Sequence, residues 1–166
     1  MSALRIGIVR ASFEFAPQAT VAFDRKLEVS LDCIICQRRG RTVIFNPGQD
    51  NGVCTPTKHP FPGRMLNVEF RKEGDAHVAV YLFQYEYTPF RDTKYPDERR
   101  YQTMERGAPT WARVSFEVTC PRCGKCSQES TQNNNVRPRR CLCMCGNLLF
   151  NETVEMPQLS WRPADP

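Results

Sequence analysis

Histidine is scarce in this 166-residue chain: His59 and His77 are the only two. The shortage excludes much metal-dependent hydrolytic chemistry. No His-x-Glu accompanies a Cys-x-x-Cys, as a zinc deaminase requires, and no His-Glu-x-x-His occurs. No glycine-rich loop leads into a lysine, so a P-loop is absent too. The adjacent carboxylates Asp97-Glu98 have a sufficient role at a helix start. With no catalytic constellation present, the sequence predicts no enzyme. Long apolar runs are also missing. Val78–Phe83, the longest, has six residues, where a membrane-spanning helix needs about 20. Ile6–Val9, between Arg5 and Arg10, is too short for the apolar segment of a secretory signal.

Cysteine, by contrast, is abundant, with nine residues. Eight fall in three groups, Cys33/Cys36, Cys120/Cys123/Cys126 and Cys141/Cys143/Cys145, and Cys54 stands alone. Cysteines two or three apart make poor disulfide partners but converge readily on a metal ion. The odd total and the grouping favour a reducing, cytoplasmic setting over a secreted disulfide framework. Charged residues at 25% and hydrophobic ones at 40% match an ordinary globular chain rather than a disordered one.

The apolar pattern has period two. Val21/Phe23, Leu27/Val29/Leu31, Leu66/Val68/Phe70 and Val114/Phe116/Val118 each alternate with polar neighbours, as half-buried antiparallel strands do. Residues 78–87 read as a strand covered on both sides, with Tyr81, Phe83, Tyr85 and Tyr87 on one face. That aromatic face suits either a core or a partner surface. One short helix is expected near 96–106, opened by Pro96 and closed by Gly107. The predicted class is therefore mainly β. Residues 46–52 and 56–63 read as loops. A division follows into a β-rich domain over 1–110, a metal-binding domain over 111–157 and a flexible tail over 158–166. Trp161 in that tail either anchors a partner or folds back.

The C-terminal half carries the most specific motif. A strand ends directly in Cys120-Pro121-Arg122-Cys123-Gly124, and Cys141-Leu142-Cys143-Met144-Cys145-Gly146 follows before a second apolar strand. Over about 112–155 this resembles a zinc ribbon, in which two hairpin knuckles each deliver two thiolates to one tetrahedral Zn(2+). The second knuckle departs from the usual Cys-x-x-Cys-Gly, because Leu142 stands where a cysteine is expected. Cys145 precedes Gly146 as Cys123 precedes Gly124, and Cys143 is preferred to Cys141 as its partner. The expected ligands are thus Cys120, Cys123, Cys143 and Cys145, with Cys126 and Cys141 packing outside the site. Cys120-x2-Cys123-x2-Cys126 also opens a ferredoxin-type iron–sulfur run. The flanking strands and Gly124 favour zinc. A module of some forty residues buries too little apolar surface to fold without such a metal.

A second zinc is expected in the N-terminal half, where Cys33-x2-Cys36-x17-Cys54-x4-His59 fits a ligand set of three cysteines and one histidine. Alternatively, Cys33 and Cys36 share ligands with Cys126 or Cys141 across the two halves.

Charge suggests the partner. The net charge is +5, and eighteen arginines against five lysines supply it. Zinc ribbons often present a hairpin to DNA or RNA, which is what the resemblance implies for the segment between the knuckles. Arg137, Arg139 and Arg140 there are the candidate phosphate contacts. The alternative is an accessory, protein-binding subunit with structural zinc. No membrane association is expected.

Overall fold

The computed structural model describes residues 3–87, 109–132, 139–152 and 157–164. Every regular element among them is a strand, and every ladder is antiparallel. In chain order these are β1 Ala3–Phe15, β2 Thr20–Phe23, β3 Leu27–Cys33, β4 Arg38–Phe45, β5 Gly52–Cys54, β6 His59–Phe61 and β7 Gly63–Glu73. They continue as β8 Ala76–Tyr87, β9 Ala112–Thr119, β10 Cys126–Gln132, β11 Arg139–Leu142, β12 Leu148–Glu152 and β13 Gln158–Pro163. The all-β class expected from the alternation is observed. The helix expected over 96–106 lies outside the described residues.

Two sheets form a sandwich. One runs β11-β12-β1-β8-β7, with β13 also on β1; the other runs β10-β9-β3-β4-β5-β6, with β2 also on β9. Their inner faces follow the period-two pattern. Val9, Ala11 and Phe13 of β1 and Tyr81, Phe83 and Tyr85 of β8 meet Leu27, Val29, Leu31, Val43, Phe45, Val114, Phe116 and Val118 in one buried cluster. Rings cross between the layers: Phe13 and Phe116 centroids lie 5.0 Å apart, and Phe45 stacks on Phe83 at 5.1 Å. The aromatic face of β8 is therefore core, not a partner surface.

The strand pairing corrects the expected division into domains. β1 holds β12 through Phe13–Phe15 and β13 through Arg5–Arg10, while β9 holds β2 and β3. Both sheets thus mix strands from before and after residue 110, because each segment alone would leave an apolar sheet face uncovered. Nor is residue 158 onward a loose tail. β13 lies along β1, and the Arg5 guanidinium sits over the rings of Tyr87 at 4.4 Å and Trp161 at 4.0 Å. Two cation–π contacts hold Trp161 back on its own fold. His77, the second residue of β8, is half-buried, with its ring edge-on to Phe15 at 5.2 Å. The expected loops are narrower than composition suggested, since β5 begins at Gly52 and β6 occupies His59–Phe61.

β2 and β3 run in line along β9, but the register slips between them, so residues 24–26 bulge from the ladder. Tyr81 fixes the bulge from the opposite sheet by donating its hydroxyl to the Asp24 carbonyl at 2.6 Å.

One glycine is required by close approach. Gly7 faces Phe83 across the β1–β8 ladder, and the ring lies so near that a Cβ at Gly7 would stand 2.2 Å from Phe83 Cζ. The Phe83 ring covers the bare backbone and in turn receives Phe45. Gly7→Ala is expected to displace this stack and cost about 1–3 kcal/mol. Thermal melting checks this, and Phe83→Leu in the same chain should recover part of the loss.

Candidate metal centres

Cys33, Cys36, Cys54 and His59 converge at one end of the seven-stranded sheet, and Cys120, Cys123, Cys143 and Cys145 converge at the other. In each group the ligand atoms all lie within 4.8 Å of one another. Each group is built by two successive hairpins. Cys33 ends β3, Cys36 lies in the β3–β4 turn, Cys54 ends β5 and His59 opens β6. Cys120 follows β9, Cys123 lies in the β9–β10 turn, and Cys143 and Cys145 lie in the β11–β12 turn. Val29 faces Ala112 in the ladder, with Cys33 four residues beyond on one side and Cys120 eight beyond on the other. At about 3.3 Å per residue the two centres stand roughly 40 Å apart. This separation removes any sharing of ligands between Cys33/Cys36 and Cys126/Cys141.

Backbone turns aim the sulfurs. In the first C-terminal knuckle the Gly124 N–H donates to Cys120 O and the Cys120 N–H to Lys125 O, both at 2.9 Å. In the second, the Gly146 N–H donates to Cys143 O and the Cys143 N–H to Asn147 O, both at 2.8 Å. Gly124 and Gly146 take φ of 75° and 88°, the left-handed conformation that closes such turns. Gln37 takes the same region, φ 51°, immediately after Cys36, so the N-terminal turn has the same shape without glycine. Lys58, at φ 55°, closes the Cys54–His59 turn with its N–H on Cys54 O at 2.7 Å.

Apart from a short His59–Cys36 contact, the separations are close to those around a single tetrahedral ion. Zn–S bonds of about 2.3 Å and Zn–N of about 2.0–2.1 Å put sulfurs about 3.8 Å apart and sulfur about 3.6 Å from nitrogen. Cys120 and Cys145 sulfurs are 3.8 Å apart, and those of Cys123 and Cys143 are 3.4 Å apart. Cys36 and Cys54 sulfurs are 3.6 Å apart, and His59 Nε2 lies 3.6 Å from Cys33 and 2.9 Å from Cys36. There is room for one ion at each centre and none for a multi-iron cluster. Cys126 is exposed on β10 and Cys141 half-buried on β11, so neither joins the group, and the ferredoxin-type run is not assembled.

The surroundings favour thiolate ligands. His59 Nδ1 donates to Pro60 O at 2.7 Å, which turns Nε2 toward the sulfurs. The Thr57 hydroxyl lies 3.2 Å from Cys36 Sγ and 3.6 Å from Cys54 Sγ. Burial opposes ionisation of Cys36, but hydrogen bonds from Thr57 and His59 outweigh it and bring the thiol down to about 6. At Cys120 the backbone N–H of Cys123 does the same, also to about 6. Burial pushes Cys33 up to about 12 and raises Cys54. The hydrogen bond to Cys36 raises His59. Without metal, then, Cys33 and Cys54 keep their protons at neutral pH. Metal uptake must displace them, and affinity rises with pH.

The three arginines expected to meet phosphate are less completely described. Arg139 and Arg140 lie on β11, at the edge of the six-stranded sheet, and Arg137 lies outside the described residues. Sequence reading missed the basic side chains nearer the metal: Arg122 and Lys125 are both exposed on the first C-terminal knuckle. Their position inside the Cys-x-x-Cys-Gly-Lys turn was the available signal. Arg39, by contrast, is nearly buried and paired with Asp32 at 3.4 Å, so Arg38–Arg41 is not a free basic patch. No helix among the described residues is long and apolar enough to cross a membrane.

No protein-family model, curated protein or solved structure matches the chain, so its chemistry is read from these residues alone. Two closed four-ligand groups that can each hold a metal ion such as zinc are its defining feature. The full chain expressed with zinc is expected to carry two ions, measured by elemental analysis. Cys33→Ser and Cys120→Ser should each remove one, the latter with a stability loss of roughly 2–5 kcal/mol, as for a lost cross-link. Cys126→Ser and Cys141→Ser should keep both ions.

Proposed function

We propose that the chain is a non-catalytic, two-zinc β-sandwich that binds nucleic acid through the face around its C-terminal centre. Both ligand sets have four protein donors and no open position, which is the arrangement of structural rather than catalytic zinc. The observation that carries the reading is the placement of charge. Between Cys120 and Cys145 the chain has Arg122, Lys125, Arg137, Arg139 and Arg140 against the single carboxylate Glu129, in a protein whose total is only +5. A zinc bound by four thiolates carries a formal charge of about −2, and this segment stays positive beside it. Cations concentrated in one segment of the chain beside a structural metal site are the footprint of phosphate recognition.

A second reading is supported by the knuckle tips themselves. Ile35, Leu142 and Met144 are 58%, 56% and 87% exposed, unusual for apolar side chains and suited to a protein partner. The two readings differ in their response to salt. Nucleic-acid binding through phosphates should weaken as salt rises, with a logarithmic slope of about −0.9 per phosphate on duplex and about −0.7 on single strands. Replacing Arg137, Arg139 and Arg140 together by alanine should weaken binding at least about tenfold and flatten that slope, with two zinc ions retained. Fluorescence anisotropy on labelled DNA and RNA reads both quantities. Absence of binding at low salt would leave the apolar knuckle tips, and hence a protein partner, as the better reading.

A further inference from the structure

A groove of about 470 Å³ opens on the flank of the sandwich where β2 and the residue 24–26 bulge of one sheet approach β7 and β8 of the other. Phe23, Arg25, Phe70, Arg71, Lys72 and His77 line it, and no carboxylate is among its lining residues. The bulge carries Arg25 outward, and it is exposed. Neither Arg25 nor Lys72 has a carboxylate partner among the described residues. Arg71 differs, being neutralised by Glu69 at 3.4 Å and Glu73 at 2.9 Å.

The groove also holds a rigid aromatic platform. Phe70 stacks on Phe23 at 5.4 Å and 19°, and Tyr81 meets it edge-on at 6.2 Å, yet 37% of Phe70 stays exposed. Phe70 lies opposite Ala79 in the β7–β8 ladder and so on the inner face, at the open rim of the sandwich, where part of its ring stays exposed beside Arg25 and Lys72. His77 adds a neutral hydrogen-bonding ring: burial holds it below its ordinary range, and the charge of Lys72 adds to this. An exposed ring flanked by free cations matches a planar base joined to a phosphate.

From this groove β2 runs toward the C-terminal centre. β2 pairs with β9 from Phe23–Phe116 to Thr20–Thr119, and Cys120 follows at once. That is roughly 10 Å of strand. A second, separate hollow of about 450 Å³ is lined by Gln18, two residues before β2, and by Pro121 and Arg122 of the first knuckle.

We propose that this groove binds an unpaired nucleotide, its base stacked on Phe70 and its phosphate between Arg25 and Lys72. The strand then continues along β2 to the knuckle at Arg122. The inference rests on the nucleic-acid reading for its ligand but not on the arginines of the knuckle hairpin. It supplies the stacking element that the hairpin sequence lacks, and it makes the preferred ligand single-stranded.

The test compares four forms of the full zinc-loaded chain: the unmodified protein, Phe70→Leu, Phe70→Trp and the pair Arg25→Ala with Lys72→Ala. Each is titrated against a labelled single strand of about 12 nucleotides, its duplex and a 5′-mononucleotide. Phe70→Leu should weaken single-strand binding about tenfold and leave duplex binding unchanged. Phe70→Trp, which keeps a ring, should bind at least as tightly as the parent. The charge pair should reduce the single-strand salt slope by about 0.7, the share of one phosphate. Mononucleotide binding with the same dependence would assign the groove to free nucleotides as well. Single-strand binding that is indifferent to Phe70, Arg25 and Lys72 would overturn the groove while leaving the hairpin standing. Binding that needs the groove but not Arg137, Arg139 and Arg140 would do the reverse. No binding to any of the three probes would remove both.

Discussion

A tetrahedral metal ion demands four donors gathered close together, and each centre brings its four within 4.8 Å of one another by joining two hairpins. The C-terminal centre draws its hairpins from different sheets: β9–β10 belongs to one layer and β11–β12 to the other. An ion there is a staple between the layers and fixes their alignment at one end of the sandwich. The N-terminal centre works within one sheet. Its hairpins are β3–β4 and β5–β6, and the latter strands have only three residues each. Such strands are too short to hold a register alone, so ligation at Cys54 and His59 completes that edge. Between the ends lies the aromatic core, where Phe13, Phe116, Phe45 and Phe83 interlock. The middle is held by burial and the ends by coordination.

Much of this was legible in the sequence because thiolate spacing and strand alternation are local signals. The Cys-x-x-Cys turn needs only one residue in the left-handed region, and Gly124 and Gly146 announce it. What was not legible is long-range. β1, the longest strand at 13 residues, escaped notice because its inward set includes Gly7 and Ala11, which barely mark a face. Missing β1 hid the pairings to β12 and β13, and with them the single core that replaces the expected two domains. For Trp161 the sequence left anchoring a partner and folding back both open, because its restraint, Arg5, lies at the opposite end of the chain. Gln37 shows the limit of reading turns by glycine: it holds the same left-handed geometry without announcing it.

The division of labour between structure and recognition follows from this layout. Each group offers four protein donors, so an ion bound by all four would act through shape. At the C-terminal end it would shape the knuckle that carries Arg122 and Lys125. What lies beside it along β2 is a groove combining an exposed ring with unpaired cations. The proposed nucleic-acid contacts thus fall on one flank and one end of the sandwich. The N-terminal centre stands roughly 40 Å away by strand register.

The measurement that bears most directly on this account is X-ray absorption at the zinc edge on the fully loaded chain. One all-cysteine centre and one centre of three cysteines and a histidine predict, on average, about 3.5 sulfurs near 2.3 Å and about 0.5 imidazole nitrogen near 2.0 Å per zinc. Cys120→Ser, leaving the N-terminal centre alone, should shift the average to about three sulfurs and one nitrogen. A shell dominated by oxygen and nitrogen, or an average unmoved by that substitution, would contradict the two-centre architecture on which the fold and its recognition face depend.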